Sequence, residues 1–236
     1  MIDSQINIYD TLYTNYIPFF IMILTVSILS YPNITNGIIS FLVIMFLAYI
    51  VHLSSHMFCN IFTCLHHYHH DNNNLFAYIS QIILELSFIG FLYITSIFLH
   101  IPVDIWIIIF SVLLYSSIHN INYGVFKINN VHYLHHQNKF TNIGPDIFDI
   151  LFHTKHPKDT TSENISHYIP NMLILFVIIS IMKFSYMHTN EKNQANIKNI
   201  AYLCGGASAF FLIISSLYIY LTIPIRVEIN PFQYLV

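Results

Sequence analysis

Charge is what this sequence has least of. Only 8% of its 236 residues are Asp, Glu, Lys or Arg, whereas 56% are hydrophobic; a soluble domain carries roughly 25% charged residues. That balance excludes an ordinary water-soluble globule and points to an integral membrane protein. The formal net charge is −3 with histidine neutral. With no basic cluster in the sequence, a nucleic-acid surface and a polybasic lipid-binding tail are both excluded. Cysteine is also scarce: Cys59, Cys64 and Cys204 form an odd set with no C-x-x-C pair, so no disulfide framework is expected. The N-terminus lacks a basic leader region, and no A-x-A-like site follows the first apolar run. That run therefore reads as a retained helix rather than a cleaved signal peptide.

What the chain does have is long apolar runs: Leu12–Ser30, Gly37–Val51, Ala77–Phe98, Val103–Ile118, Ile169–Met187 and Ile200–Thr222. A helix crosses a bilayer in ~17–25 residues, so six crossings are expected, two of them short. Each short run leads directly into a histidine, which predicts that the helix continues out of the lipid carrying His52 and His56, or His119. Taken in pairs, the runs make three hairpins, and the polar stretches 52–74 and 119–168 then fall on one side of the membrane. Lys127, Lys139, Lys155 and Lys158 lie in the second stretch, which favours a cytosolic side for both. Lys183, Lys192 and Lys198 surround the last connection and run against that bias.

Those polar stretches hold most of the histidine. Nine of the fifteen histidines fall in a pattern: His52/His56, His66/His69/His70, a lone His119, and His132/His135/His136. Imidazole is a common ligand for transition metals, and residues at i, i+3 and i+4 project from one helix face, so each box is expected to aim two or three nitrogens at one point. A structural zinc site needs four ligands and would leave more than half of this set unexplained. Two metal ions need roughly eight to ten donors. Carboxylate is sparse near the boxes and there is no Glu-x-x-His pair, which excludes the soluble carboxylate-bridged di-iron bundle.

The ordered boxes resemble the fatty acid hydroxylase/sterol desaturase superfamily of membrane di-iron oxygenases. The resemblance covers about residues 50–157 and rests on His52-Leu-Ser-Ser-His56, His66-His-Tyr-His69-His70, Ile118-His119-Asn-Ile-Asn and His132-Tyr-Leu-His135-His136, followed by Asn142-Ile-Gly144, Phe148-Asp149 and Phe152-His-Thr154. It implies that all nine histidines ligate two iron ions, with zinc able to replace iron in purified protein, and that molecular oxygen is co-substrate. It also implies a fatty acyl or sterol substrate, electrons from a separate cytochrome b-type donor and its NAD(P)H reductase, and a site facing the cytosol at the endoplasmic reticulum. The Asp149-Ile-Leu-Phe-His-Thr ending resembles the fatty acid 2-hydroxylase branch. That branch usually has a histidine four residues after the lone one, where this chain has Tyr123, and the family commonly has tryptophan at the position of Phe148.

The expected fold is all-α: two transmembrane helical hairpins under a cytosolic histidine-rich helical cap in residues 1–168, with an added C-terminal hairpin and tail in 169–236. Asp149 is a candidate for an acceptor that orients a ligand histidine, or else a helix N-cap before Ile150; His153 and His156 are candidates for partners that orient a ligand, or else solvated loop residues, and His67 for an additional ligand, although it lies off the i, i+3, i+4 face of its box. Glu85 stands within an apolar run, where a charge costs at least ~2.5 kcal/mol at the bilayer centre, so it is either functional or bonded to a neighbouring helix. His100, His167 and His188 are expected to be structural. Two other functions use the same histidines: a bis-histidine membrane haem protein, through the spacings His56–His70 and His119–His132, and a metal transporter, which would place ionisable groups within the spans.

Overall fold

The computed structural model describes residues 6–58, 60–98 and 100–222, and among these every regular element is helical. A short α1 (Ile8–Thr14) leads into α2 (Tyr16–Ser30), α3 (Ile34–Met57), α4 (Cys64–Asp71), α5 (Leu75–Phe98) and α6 (Ile105–Ser117). The last of these runs on as a π-helical segment, Ile118–Val125. Then come α7 (Val131–Gln137), α8 (Asp146–Leu151), a 3₁₀ turn at Ile165–Tyr168, α9 (Ile169–Met187) and α10 (Glu191–Thr222).

Five helices among the described residues are long and apolar enough to cross a membrane: α3, α5, α6 with its π segment, α9 with its 3₁₀ turn, and α10. This identifies the chain as a membrane protein. The two short apolar runs do extend as expected, α3 carrying His52 and His56 in its last two turns and α6 passing without a break into the segment that holds His119. The first run is not one straight rod. It breaks at Asn15, where α1 and α2 meet at 74°. Asn15 is fully buried, and its side chain donates to Thr11 O (3.0 Å) and Glu163 O (2.8 Å) while accepting from Ile165 N–H (2.8 Å). A buried amide with so many partners fixes the corner and ties the start of the chain to the segment before α9.

The core sits around α6, the most buried of the five long helices. Its Ile107, Ile108 and Phe110 pack with Val26 and Leu29 of α2, Ile44 of α3, and Met172 and Ile179 of α9. Helix α10 lies on the other side against α4 and α5, burying Ile219 with Cys64 and Leu65. Lys183, which the charge distribution left anomalous, reaches back from α9 to donate to Leu29 O (2.7 Å) and Tyr31 O (3.3 Å). It satisfies carbonyls at the C-terminal end of α2, where a cation also complements the helix dipole.

Helices α2 and α3 approach closely at Gly37. A Cβ there would stand 2.1 Å from Ser30 Oγ and 2.2 Å from Ser30 Cβ, and Ser30 itself is fixed by donating to Val26 O at 2.8 Å. Gly37→Leu is therefore expected to force the two helices apart and to cost about 1–3 kcal/mol. Detergent-solubilised variant and parent compared by thermal melting would show it; an unchanged melting temperature would mean that this contact is loose.

Candidate metal centre

The three boxes and the lone histidine come from α3, α4, the π segment and α7, and their rings converge. Among the described residues, His52, His56, His66, His70 and His135 offer nitrogens that all lie within 4.8 Å of one another, and His69, His132 and His136 form a second such group. His119 stands over the second group, with its ring centroid 4.5 Å from that of His132 and 5.5 Å from that of His69. The groups adjoin through His70 and His136, whose ring centroids are 4.1 Å apart. All nine histidines of the pattern are thus gathered in one place.

The boxes are not, however, each aimed at one point. The i and i+4 members stay together, His66 with His70 and His132 with His136, while the i+3 members His69 and His135 each join the other group. Helix geometry explains the split. Residues i and i+4 lie about 40° apart around the axis, whereas i+3 and i+4 differ by about 100°. The second and third boxes therefore each contribute to both groups and brace them against each other, while His52 and His56 both belong to the first.

Several ring nitrogens face one another at close range: His56 Nε2 and His66 Nε2 at 3.0 Å, His66 Nε2 and His70 Nε2 at 3.2 Å, and His132 Nε2 and His136 Nε2 at 2.9 Å. Two nitrogens bound at right angles to one ion at about 2.0–2.1 Å stand about 3.0 Å apart, so these spacings suit a shared cation. Other buried nitrogens have no hydrogen-bond partner: His52 Nε2, His119 Nε2, His135 Nε2 and both of His69. Buried polar atoms are rarely left so, and one centre with this many calls for a ligand. An all-imidazole set suits iron, zinc, copper or nickel rather than magnesium or calcium. Burial holds the imidazoles of His66, His70, His132 and His135 well below the usual histidine range, and those of His69 and His136 at about 2 and about 4. The rings are neutral at pH 7, the state that ligation requires.

Four of the histidines are oriented from behind. His52 Nδ1 donates to Ile143 O (2.8 Å), His135 Nδ1 to Thr141 O (2.7 Å), His66 Nδ1 to Gln81 Oε1 (3.3 Å) and His119 Nδ1 to Glu85 Oε1. Each acceptor holds the proton on Nδ1 and leaves the Nε2 lone pair facing inward, the arrangement common behind metal-bound histidine. Glu85 also accepts from Gln81 Nε2 (3.0 Å) and Asn120 Nδ2 (2.6 Å). The charge inside an apolar run is thus explained: Glu85 bonds neighbouring helices and orients His119 in one arrangement.

Thr141 and Ile143 belong to a loop held from below by Asp149. The carboxylate accepts from Ile143 N–H (2.9 Å), Gly144 N–H (2.7 Å) and Thr154 Oγ1 (2.7 Å), while Asn142 N–H donates to Thr154 O (2.7 Å). Gly144 has φ +69°, which glycine adopts without strain. Asp149 therefore bonds no ring nitrogen; it reaches His52 through the Ile143 backbone, and it does not cap α8, whose N-cap is Pro145. Burial pushes its carboxyl up to about 7 against these hydrogen bonds. Asp149→Asn turns one acceptor oxygen into a donor facing backbone N–H groups. It is expected to weaken metal binding at the His52/His135 group about 10–100-fold while leaving the His132/His136 group loaded. Metal titration of the purified variant checks this, and unchanged affinity at both groups would remove the loop's role.

The structure leaves His67, His153 and His156 outside both groups. His67 Nε2 lies 3.3 Å from Phe58 O, His153 is exposed, and His156 Nδ1 accepts from Lys158 N–H at 3.1 Å. Gln81 and Asn120 are the functional neighbours that sequence reading missed. Gln81 lies four residues before Glu85, one turn away on the same helix, and that spacing is the signal that was available.

Two apolar cavities reach the centre. One of about 440 Å³ opens between α3, α5 and α6 and ends at His52, His66 and Glu85. The other, about 460 Å³, runs between α2, α3 and α6 and meets both groups, at His52 and His135 and at His119 and His132. Tyr115 lines both cavities. No family model matches this chain, nor does any curated protein or solved structure.

Proposed function

We propose that this chain is an oxygen-dependent di-iron lipid oxidoreductase, hydroxylating or desaturating a fatty acyl chain or sterol at the membrane surface. The observation that carries this reading is the meeting of two adjoining imidazole groups with the inner end of an apolar cavity. Two iron ions, held by the five- and four-histidine groups, would supply the oxidant derived from molecular oxygen. The chain's own residues do the rest. Glu85, Gln81 and the 141–143 loop fix the ligand rings, and the apolar walls from α2, α3 and α6 align a lipid and exclude water.

The helices fit two membrane hairpins, α2/α3 and α5/α6, with the ligand-bearing ends, α4, α7 and α8 as a cytosolic cap and α9/α10 as the added hairpin. An endoplasmic reticulum location and electron supply by a cytochrome b-type protein and its reductase belong to the same reading. A haem alternative is disfavoured because the facing nitrogens at 2.9–3.2 Å leave no slot for a macrocycle between them. A transporter is disfavoured because Glu85, an acid within the spans, is engaged by His119, Gln81 and Asn120, so that its oxygens already have partners where a passing ion would need them.

Iron-loaded protein, reduced and supplied with ¹⁸O-labelled oxygen and a mixed lipid extract, is the test. Mass spectrometry should find a lipid that has gained one labelled oxygen or lost two hydrogens. An unchanged extract from protein that holds its iron and accepts electrons would sink the proposal.

A further inference from the structure

The α2/α3/α6 cavity is apolar along its length but has a polar corner beside the second histidine group. Glu163 is buried there, and its Oε1 accepts from Tyr123 Oη (2.5 Å) and Asn129 Nδ2 (2.6 Å). His167 Nδ1 accepts from Asn122 Nδ2 (3.1 Å), which leaves its proton on Nε2, 3.3 Å from the same carboxylate oxygen. Tyr123 Oη is also 2.8 Å from Tyr168 Oη.

The direction of this chain of hydrogen bonds is fixed by proton count. A phenol has one proton, and Tyr123 gives its own to Glu163, so the Tyr168 hydroxyl must donate to Tyr123. Tyr168 Oη then keeps lone pairs and no proton for anything else, and among the described residues it has no further partner. Tyr123, Tyr168 and Glu163 all line the cavity, and Tyr123 lies nearly parallel to the His132 ring, at 14° with centroids 5.9 Å apart. The corner therefore offers an acceptor to a ligand, backed by a negative charge. Of the described residues lining either cavity, none is Lys or Arg. A fatty acid anion or an acyl phosphoester would meet lone pairs and the Glu163 carboxylate at this corner, with no lysine or arginine in the lining to offset them.

We infer that this cavity seats a neutral lipid alcohol, its hydroxyl donating to Tyr168 beside the His132 group and its apolar body lying between α2, α3 and α6. This rests on reading the cavity as the substrate site, and it narrows the substrate from lipids in general to those with a proton-donating, uncharged head. The position at which the resembling hydroxylase branch carries a histidine, Tyr123 here, thus becomes part of head-group selection.

The test is competition for bound tritiated hexadecan-1-ol on detergent-purified protein, using hexadecan-1-ol, cholesterol and hexadecanoate at pH 8. A straight-chain alcohol and a sterol share the required hydroxyl, and the first two arms distinguish them. Hexadecan-1-ol or cholesterol should compete at about tenfold or more lower concentration than hexadecanoate, a difference of the size one hydrogen bond and one like charge produce. Tyr168→Phe keeps the ring but removes the acceptor, and should abolish most of that preference. Glu163→Gln removes the charge that sets the direction of the chain, and hexadecanoate should gain relative to the alcohol. Equal or tighter binding of hexadecanoate by the parent protein would overturn the inference, as would an unaltered preference in Tyr168→Phe. Because binding is read without turnover, an inactive protein that prefers alcohols counts against the proposed reaction alone. An active one without the preference counts against this inference alone.

Discussion

Replacement of His135 by alanine is expected to lower bound metal from about two ions per chain to about one, and to abolish lipid oxidation. His135 comes from the third box but belongs to the group built by His52, His56, His66 and His70. Its Nδ1 is held by Thr141 O, and its unpartnered Nε2 is buried inside that group. Truncation removes one donor of five and leaves a void where the ring stood. The second group keeps His69, His119, His132 and His136 and should still hold its ion. Since the change lies outside the apolar core around α6, membrane insertion should be unaffected. Metal analysis of variant and parent reads this directly. Full loading of the variant would remove His135 from the ligand set, and loss of both ions would mean that the two groups bind only together.

The second large effect is expected at Glu85. Glu85→Gln preserves the shape of the side chain but replaces one carboxylate oxygen with a donor. It can no longer accept from His119, Asn120 and Gln81 at once. His119 then loses the acceptor that holds its proton on Nδ1, and metal affinity of the second group should fall about 10–100-fold. Glu85→Ala is expected to do this and to cost a further ~1–3 kcal/mol of stability for each buried partner left unsatisfied. A carboxylate serving only to join α5 to the π segment would give a different result: Glu85→Gln would retain full metal affinity, because an amide can still bridge the two.

Much of the centre is legible in the sequence because helices impose a short-range order on side chains. His66 and His70, or His132 and His136, share a face through spacing alone. The exits of α3 and α6 from their apolar runs follow from where hydrophobicity stops. The exchange of His69 and His135 between groups was not legible, because it depends on how α4 and α7 are rotated against each other, a tertiary fact. The acceptors Thr141 O and Ile143 O were hidden for a related reason: backbone carbonyls carry no sequence signature, although Asp149 and Gly144, which shape their loop, did stand out. The corner at Asn15 was masked by apolar neighbours on both sides. Its cause lies almost 150 residues away, in the Glu163 and Ile165 backbone that the amide binds. His119 sits in a π-helical turn, a geometry associated with functional sites that residue preferences do not reveal.

Nine converging histidines, in two adjoining groups, are proposed to hold a pair of metal ions. The most direct measurement is the metal content of detergent-purified protein by mass spectrometry, with an optical spectrum of the same sample. About two irons per chain, or zinc in their place, are expected, with no Soret band. A Soret band, or protein that stays metal-free after incubation with ferrous iron, would contradict that proposal.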